Sequence, residues 1–581
     1  MKKIYLITIA ICISFSFLCS VDAQNEKTML NSLWHQNAPF NNMIPNKIPA
    51  GCGPIAVSQI LYHYKAPSHG YGHVTLYNDL DYAGKSIDYG IILNDYSGNY
   101  TDAQAEAVAN LVWHVGAAMT VKYPNNSSAT ENNRMVWGLQ KYLHVSQKCR
   151  FRLRKYYSTR QWLSMLDDQL QSGRPVYYRG RAIRYGGEPE GAGHIFVIDG
   201  KNSEGLYHIN FGHASTKENK YVSLDVINQS SGNYPGDYGV YYNWVQGMAT
   251  DLFPDEQFDE GTFNDYPVFL VNPIVLNNDK YIDEIDFPID DSFSLSMELQ
   301  VYNGTYIREK EGSLGTWQLG LGLFKADKLL QVISPLQGQS LLTSESKKTT
   351  LSWKIPYSLE NGEYDIRIIT RRIGEEQWQL VWDVAPNTIH AKVHDGHVTL
   401  KTMGNHTLQT NLYLLKSIKD IGDVLFKMGD KQEKGKLFSL KMKNPTDNNF
   451  ENKIKFQIKV DGAVQVVYEQ NASVYSDTEI EYRFLIPYTV FDFQNYPNYE
   501  IEASYYEQND NEYIKLTTEV PDLTSMQKIE IDKSTSRISI YDMRGLLVKQ
   551  TEITNVDPLE GLARGCYIIK GTGMPIKVIK R

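Results

Sequence analysis

Cys52 is the residue with the most evident chemistry in this sequence. It lies in the run AGCGPIA at residues 50–56, and an apolar pattern with helical spacing follows it. Pro54 suits the first turn of a helix, so the sulfur should lie at or just before a helix N-terminus. Free amide N–H groups and the positive end of the helix dipole favour thiolate over thiol there. The pattern therefore predicts a nucleophilic cysteine.

A histidine far along the chain could supply the matching base. His194 begins the apolar, strand-like run HIFVIDG, directly after the small residues GAG at 191–193, which leave its ring approachable. A thiol at a helix start and an imidazole at a strand start, contributed by remote segments, can form a nucleophile and its general base. The competing interpretations are an inert core cysteine and a structural histidine.

Further residues are candidates for supporting roles. His194 and Asp199 should face opposite sides of their strand, so we do not expect Asp199 to orient the imidazole. Asn210 could orient the ring through its neutral amide, and it could equally cap or turn the chain. Gln36 could donate a hydrogen bond to a tetrahedral oxyanion beside the backbone N–H of the nucleophile. We interpret His213 as a pocket-lining or solvated residue.

The elements that position these residues are predicted before about residue 255. Capping-box patterns, TDAQ at residues 101–104 and STRQ at residues 158–161, each precede an apolar pattern with helical spacing. Short strand-like runs follow at residues 175–178, 194–198, 206–211 and 221–226. Helices first and strands later, with hairpin-length gaps, predict an α+β catalytic domain with an antiparallel sheet over residues 24–258.

The pattern of the sequence changes after about residue 265. Segments such as FSLSMEL at residues 293–299 alternate with period two, turn residues separate them, and long helical patterns are absent. This spacing predicts all-β domains, namely two β-sandwich domains at residues 265–402 and 403–522. We expect a small β unit at residues 524–581.

Composition and the N-terminal segment narrow the class of protein. Residues 1–23 have the basic start, apolar stretch and small-residue end of a cleavable signal peptide. No later segment approaches the roughly 20 apolar residues that a membrane span needs. Cleavage leaves Cys52, Cys149 and Cys566, too few for a disulfide framework. The formal charge of −9 argues against a nucleic-acid partner.

Several segments together resemble the streptopain family of secreted cysteine peptidases. They keep the family's order over residues 30–250: WHQNAPFN at 34–41, GC at 51–52, YHYK at 62–65, PVYY at 175–178, GHIFVIDG at 193–200 and YHIN at 207–210. The resemblance implies a papain-like fold. It also implies that Cys52 is the nucleophile and His194 the general base and acid.

Two features depart from that family pattern. Residues 210–213 read NFGH where family members usually have Asn-Trp-Gly-Trp, so different side chains should pack around the imidazole. Only about ten residues separate the predicted signal cleavage from Trp34, where such enzymes typically carry a long inhibitory propeptide. Latency would then come from the C-terminal domains or from a separate inhibitor.

The end of the chain resembles a C-terminal sorting domain of the type IX secretion route of Bacteroidetes. The runs RISIYDMRG at residues 537–545 and GCYI at residues 565–568 carry this likeness. The resemblance implies that the secretion machinery recognises residues 524–581. A generic terminal β module is the alternative.

These expectations combine into a cysteine endopeptidase that is secreted or attached to the cell surface. It would hydrolyse protein or peptide substrates through an acyl-enzyme at Cys52. No set of residues has convincing metal-ligand spacing, so we expect neither a metal nor another cofactor. The main alternative is a catalytically inactive surface adhesin on a peptidase-like domain. A third interpretation makes the β-sandwiches the functional part, as binders of carbohydrate or host proteins.

Overall fold

The fold is described from a computed structural model of the protein. It covers residues 28–75, 81–83, 86–123, 132–183, 193–216, 218–225, 227, 241–259, 263, 268–270, 274, 284–289, 295–303, 315–334, 337–341, 346–356, 358–383, 386–402, 410–428, 431–446, 448–507, 512–518, 537–542, 547–552, 565–570 and 576–580. The predicted signal peptide lies outside these described residues, as do the small residues Gly191 and Ala192 before His194.

Four α-helices occur in the described residues: α1 at Cys52–Tyr64, α2 at Asp102–Ala118, α3 at Asn132–Leu143 and α4 at Thr159–Gln171. Short 3₁₀ helices lie at Pro45–Lys47 and Arg154–Tyr156. Both predicted capping boxes are confirmed: Thr101 and Gln104 cap α2 reciprocally, and Ser158 and Gln161 cap α4. Among these residues, no helix is both long and apolar enough to span a membrane.

The strands before residue 251 form two sheets. The strands are β1 at His73–Thr75, β2 at Asp81–Ala83, β3 at Arg150–Leu153, β4 at Val176–Ile183, β5 at Gly193–Lys201, β6 at Tyr207–Asn210, β7 at Lys220–Val222 and β8 at Tyr241–Thr250. β1 pairs with β2, and the others form one sheet in the order β3-β8-β4-β5-β6-β7. All its pairs are antiparallel, which confirms that part of the prediction.

The two faces of this six-stranded sheet pack against different helices. Alternation along β5 directs Ile195 and Val197 into a core shared with α1, α2 and α3. Phe196 and Ile198 point the other way, into a core shared with Trp162 of α4. Helices therefore cover both faces of the sheet. The candidate site lies at the ends of its strands and in the adjoining loops.

The chain after residue 267 is rich in β-strands, as predicted. The next twelve are β9 at Val268–Leu270, β10 at Glu284–Pro288, β11 at Leu295–Asn303, β12 at Gly315–Lys325, β13 at Lys328–Val332, β14 at Gln337–Leu341, β15 at Ser346–Trp353, β16 at Gly362–Arg372, β17 at Gln379–Leu380, β18 at Trp382–Asp383, β19 at Ile389–His394 and β20 at His397–Thr402. They form an eight-stranded and a four-stranded sheet around one apolar core, here called the first sheet pair.

Two four-stranded sheets follow around a second core. Their strands are β21 at Tyr413–Leu414, β22 at Lys419–Met428, β23 at Lys431–Lys443, β24 at Phe450–Val460, β25 at Ala463–Val474, β26 at Glu479–Pro487, β27 at Glu500–Glu507 and β28 at Glu512–Lys515. We call this unit the second sheet pair. Phe456 of one sheet and Phe484 of the other stack with ring centroids 3.7 Å apart at its centre.

The last described strands form a separate antiparallel sheet. They are β29 at Arg537–Asp542, β30 at Leu547–Glu552, β31 at Gly565–Lys570 and β32 at Ile576–Lys580. Their order is β30-β29-β31-β32. These strands lie within the predicted C-terminal β unit, whose role in sorting stays a prediction.

Candidate active site

The chain bends into α1 so that Cys52 occupies its first position. Gly51 has φ 93°, a left-handed value that glycine adopts without a Cβ penalty, and α1 begins at the next residue. Pro54 lies in the first turn, as predicted. The neighbouring Gly53 is tightly enclosed, since a Cβ there would lie 3.0 Å from the side chain of Met119. The local backbone geometry thus places the Cys52 thiol at the N-terminal end of α1.

The Cys52 sulfur lies against the strand that carries His194. The backbone N–H groups of Ile195, Gly53 and Cys52 itself lie close enough to the sulfur to act toward a lower pKa of the thiol. Burial acts in the opposite direction and is the larger effect, so the pKa of the Cys52 thiol is raised. The predicted preference for thiolate at the helix start is therefore wrong for the resting site, because desolvation outweighs the amides. The side chain nevertheless remains partly exposed.

His194 is buried, with 7% of its surface exposed, and its ring has a defined hydrogen-bond partner. Its Nε2 atom lies 2.9 Å from the backbone oxygen of Phe211. A carbonyl oxygen only accepts, so Nε2 carries the proton and a neutral ring leaves Nδ1 unprotonated. Burial, and secondly His213, lower the pKa of His194 to about 3, although the bond to Phe211 opposes this. The resting ring is a neutral base.

Aromatic rings surround this imidazole. The ring of His213 lies 4.7 Å from that of His194 between centroids, and the ring of Tyr242 lies 5.3 Å from it. His213 also bonds through Nδ1 to the Glu218 carboxylate at 2.8 Å. His213 therefore packs on the candidate base, in line with the predicted pocket-lining position. The sequence analysis missed Tyr242, for which the only signal was the aromatic run YYNW at residues 241–244, and it missed Glu218, which no pattern indicated.

The hydrogen bonds of Asn210 differ from the predicted orienting role. Its Nδ2 donates to the backbone oxygen of Ser32 at 2.8 Å, and its Oδ1 accepts from the N–H of Gly212 at 3.0 Å. The residue therefore turns the chain after β6 and ties it to the N-terminal segment. Because both ends of the amide are engaged in this way, the bond to the His194 ring comes instead from the next residue, Phe211.

Asp199 has partners on the opposite face, as predicted from strand parity. Its Oδ2 atom accepts from the N–H of Leu30 at 2.9 Å, and its Oδ1 atom pairs with Nδ1 of His208 at 2.6 Å. The carboxylate is fully buried. It anchors the N-terminal segment to β5 and has no role at the imidazole of His194.

The segment around Gln36 connects the two halves of the site. The Gln36 backbone oxygen accepts from the N–H of Ala50 at 2.8 Å, directly before the turn into α1. The backbone oxygen of Trp34 accepts from the N–H of Ala214 at 3.0 Å, next to His213. Residues 34–36 thus run between the cysteine turn and the loop that follows the histidine sheet. The side chain of Gln36 is partly exposed at this position.

Four remote segments therefore contribute to this region, which brings the Cys52 thiol near the backbone of the residue that follows a buried, neutral imidazole. The sulfur lies near the N–H of Ile195, the residue after His194, and the unprotonated Nδ1 of the imidazole can accept a proton. Within the described part of the chain, no group of His, Cys, Asp and Glu side chains could hold a metal ion. Nucleophilic and general-base roles suit this arrangement.

Part of the chain is similar to a known peptidase family. Residues 34–221 match the Peptidase C10 family. The matched range contains Gln36, Cys52, His194 and Asn210. It supports the interpretation of this part of the chain as a cysteine peptidase.

Individual relatives also match part of the chain. The chain is 25% identical over 237 residues to the thiol protease/hemagglutinin PrtT of Porphyromonas gingivalis, which is 38% of this chain and 26% of that protein. It is 26% identical over 255 residues to streptopain of Streptococcus pyogenes, 38% of this chain and 62% of streptopain. The chain thus spans less than two thirds of the length of either relative.

A solved structure also matches part of the chain. Active wild-type interpain A cysteine protease of Prevotella intermedia is 29% identical and covers 39% of this chain and 94% of its own, with a TM-score of 0.35.

Proposed function

We propose that the protein is a secreted cysteine endopeptidase in which Cys52 is the nucleophile and His194 the general base and acid. The observation that carries the proposal is that the Cys52 sulfur, at the start of α1, lies near the backbone N–H of Ile195. The thiol is thus close to the residue that follows His194. The match of residues 34–221 to the Peptidase C10 family supports the same reaction class.

The proposed reaction starts from an uncharged pair. Burial raises the pKa of the Cys52 thiol and lowers that of His194, so thiol and neutral imidazole are the resting forms. As the sulfur attacks the peptide carbonyl carbon, its proton passes to Nδ1 of His194. The carbonyl oxygen becomes an oxyanion, for which the Cys52 N–H and the Gln36 side-chain amide are the candidate donors.

The remaining steps release the two halves of the substrate. The tetrahedral intermediate collapses, the C–N bond breaks, and Nδ1 of His194 returns its proton to the leaving amine. A thioester then joins the acyl group to Cys52. Water attacks the thioester, giving one proton to Nδ1, and the departing sulfur recovers that proton to restore the thiol. Throughout, the Phe211 carbonyl keeps the Nε2 proton in place.

Digestion of casein and of a peptide library tests this proposal. The chain lacking only the predicted signal peptide is compared with Cys52→Ala and Cys149→Ala variants under reducing conditions. Cys149 is the matched control, because it is a fully buried thiol whose pKa burial raises to about 12. We expect Cys52→Ala to abolish cleavage and Cys149→Ala to retain it. Equal cleavage by wild type and Cys52→Ala would place the nucleophile elsewhere.

A thiol probe separates the peptidase from the inactive adhesin. Iodoacetamide labelling of Cys52 is followed by peptide mass spectrometry, with the His194→Gln variant as the reference. If His194 accepts the proton of the Cys52 thiol, the wild type should be labelled faster than His194→Gln. Equal labelling of the two proteins, together with no cleavage, would favour a binding protein on a peptidase-like domain.

We also propose that the protein reaches the cell surface or the medium through its two terminal segments. The signal-peptide pattern of residues 1–23 and the sorting-domain likeness of residues 524–581 support this. Deleting residues 524–581 should trap the protein inside the producing cell, which fractionation and immunoblotting would detect. Unchanged export of the deletion variant would leave the C-terminal unit without a sorting role.

A further inference from the structure

The second sheet pair grips β8 at three consecutive residues. The hydroxyl of Tyr475 donates to the backbone oxygen of Asn243 at 3.1 Å. The ring of Trp244 packs against the core of the second sheet pair. The N–H of Val245 donates to Oε1 of Glu451 at 3.0 Å. The second sheet pair, which is distant in sequence, thus contacts both the main chain and a side chain of this short segment of β8.

A second group of bonds joins the same unit to the turn before α4. Nδ2 of Asn449 donates to the backbone oxygens of Arg154, Lys155 and Tyr157, at 3.1, 3.0 and 2.8 Å. The N–H of Thr159 donates to Oγ of Ser476 at 2.7 Å. Asn449 and Ser476 are buried. The contact is therefore specific and involves buried side chains, unlike a loose tether between independent domains.

Arg154 extends this contact through its charge. Its guanidinium lies 3.8 Å from the ring centroid of Tyr475 and 2.7 Å from the Asp225 carboxylate. Both Arg154 and Tyr475 are 1% exposed. A buried cation that satisfies a carboxylate on one side and a π face on the other fixes how the two units meet.

The held segment of β8 is strained and irregular. Val245 has φ 48°, a left-handed value that is rare for a β-branched residue. The pairing with β4 shifts twice here: Arg179 pairs with Gly247, Arg181 with Trp244 and Ile183 with Tyr241, so β8 carries an extra residue at each step. Such strain persists only when the surroundings impose it. The bond from Glu451 acts on the N–H of the strained residue itself.

The same segment forms one wall of the imidazole pocket. The ring of Tyr242 is buried and packs on His194 at 5.3 Å between centroids. The backbone of β8 also passes over Gly180, which lies opposite His194 in the sheet register. A Cβ on Gly180 would lie 2.1 Å from the carbonyl oxygen of Tyr242. The path of β8 at residues 242–245 therefore determines what packs on the candidate base.

We propose that the second sheet pair is a positioning element of the peptidase site, in which Glu451 and Tyr475 hold the bulged segment of β8 and thereby seat Tyr242 against His194. The inference rests on the proposed function, because it assigns a role in that reaction. Glu451 and Tyr475 touch neither thiol nor imidazole, so they act only through β8. The two holders also lie together, with the Tyr475 hydroxyl 3.5 Å from Oε1 of Glu451.

The experiment compares Glu451→Ala and Tyr475→Phe with the matched control Glu481→Ala. Glu481 is an exposed glutamate of the same sheet pair that bonds Ser439 and Arg483 on the surface. All variants carry Cys149→Ala. We measure kcat and KM for a peptide substrate, the alkylation rate of Cys52 by iodoacetamide, and the thermal unfolding midpoint. We expect Glu451→Ala to lower kcat and the alkylation rate by roughly ten- to a hundredfold, with KM little changed.

A double variant distinguishes positioning from mere stability. Glycine adopts left-handed φ without a Cβ penalty, so Val245→Gly can keep the bulge when Glu451 is absent. We expect Glu451→Ala/Val245→Gly to recover most of the lost alkylation rate. Rates in Glu451→Ala and Tyr475→Phe equal to those in Glu481→Ala would overturn the inference. A loss that only follows the unfolded fraction, with no recovery by Val245→Gly, would overturn it as well.

The two proposals can fail separately in this design. If the wild-type chain cleaves no substrate, the proposed function fails. The alkylation rate of Cys52 still tests the positioning role, because His194→Gln should slow it in the wild-type background and change it little in Glu451→Ala. If the wild type cleaves but the alkylation rates of the holder variants match the control, only the positioning role fails.

Discussion

Cys52 is held by its own stretch of chain, whereas His194 is held by residues that are distant in sequence. The left-handed Gly51 and the first turn of α1 place the sulfur. The imidazole depends on the carbonyl of Phe211, the residue directly after β6, and on the ring of Tyr242 in β8. The nucleophile is thus a local feature of the fold, and the base is a product of its long-range packing.

Burial acts on both groups but with opposite effects on their pKa values. It raises the pKa of the Cys52 thiol and lowers that of His194, because a low-dielectric setting disfavours each charged form. An uncharged pair then waits for substrate. Because Cys52 is positioned locally and His194 by distant residues, we expect substitutions remote from the site to affect the reaction mainly through His194.

We expect the largest effect from removal of the His194 imidazole, with Cys52 left in place. His194→Gln keeps a polar side chain but removes the general base, so we expect kcat to fall by about 10²–10⁴-fold. The thiol itself should survive, because its helix start does not depend on residue 194. Steady-state kinetics and mass-spectrometric labelling of Cys52 measure the two effects. Retention of wild-type kcat would assign the base to another residue.

Gln36 tests the side of the site that is close to Cys52. If its amide binds the oxyanion, Gln36→Ala removes one donor and should lower kcat by about 10²–10³-fold with a small change in KM. The neighbouring Asn37 is exposed and serves as the control through Asn37→Ala. Equal kcat values for the two variants would mean that the oxyanion is held by backbone donors without Gln36.

Several elements could be predicted because their signals are local. The capping boxes of α2 and α4 each need four residues, and both occur as predicted. The placement of Asp199 away from the imidazole follows from the two-residue period of a strand, and its bonds to Leu30 and His208 confirm it. Helix caps and strand parity depend only on residues that are close in sequence, so the sequence alone predicts them.

Other features could not be predicted because they depend on groups or contacts without a local signal. The partner of His194 is the backbone oxygen of Phe211, and a main-chain carbonyl is present at every residue, so Asn210 was the more visible candidate. The raised pKa of Cys52 reflects burial by remote segments, which a helix-start pattern cannot express. The bond between Glu451 and Val245 joins residues from different units of the chain.

The pH dependence of kcat/KM tests how the surroundings of His194 set its pKa. Protonating His194 removes the base, and its pKa near 3 means that kcat/KM should hold well below the ordinary histidine value of about 6.5. His213 is the second cause of this low pKa, after burial. His213→Phe keeps a ring beside His194 but removes the charge effect, so the pKa should rise and the acid limb should move to higher pH.

A pH–rate profile from pH 3 to 8, with circular dichroism at each pH, measures this shift. Burial persists in the His213→Phe variant, so the acid limb should still lie below the ordinary histidine value. An acid limb that stays in place or moves lower would show that His213 does not act on His194 through charge. The profile of Gln36→Ala should keep the wild-type limb, since Gln36 lies on the thiol side.

We expect the smallest effects from substitutions in the caps of α2 and α4. These two helices lie on opposite faces of the sheet, so the two caps test each face separately. Thr101→Ala and Ser158→Ala each remove one reciprocal capping pair, so each should lower the free energy of unfolding by about 1 kcal/mol. Urea unfolding measures this cost. The cap of α2 stands on the Cys52 face, and that of α4 precedes Thr159, which bonds Ser476 of the second sheet pair. Both variants should keep wild-type kcat, because neither cap contacts thiol or imidazole. A fall in kcat with Ser158→Ala alone would show that the imidazole side senses even small changes at its distant supports.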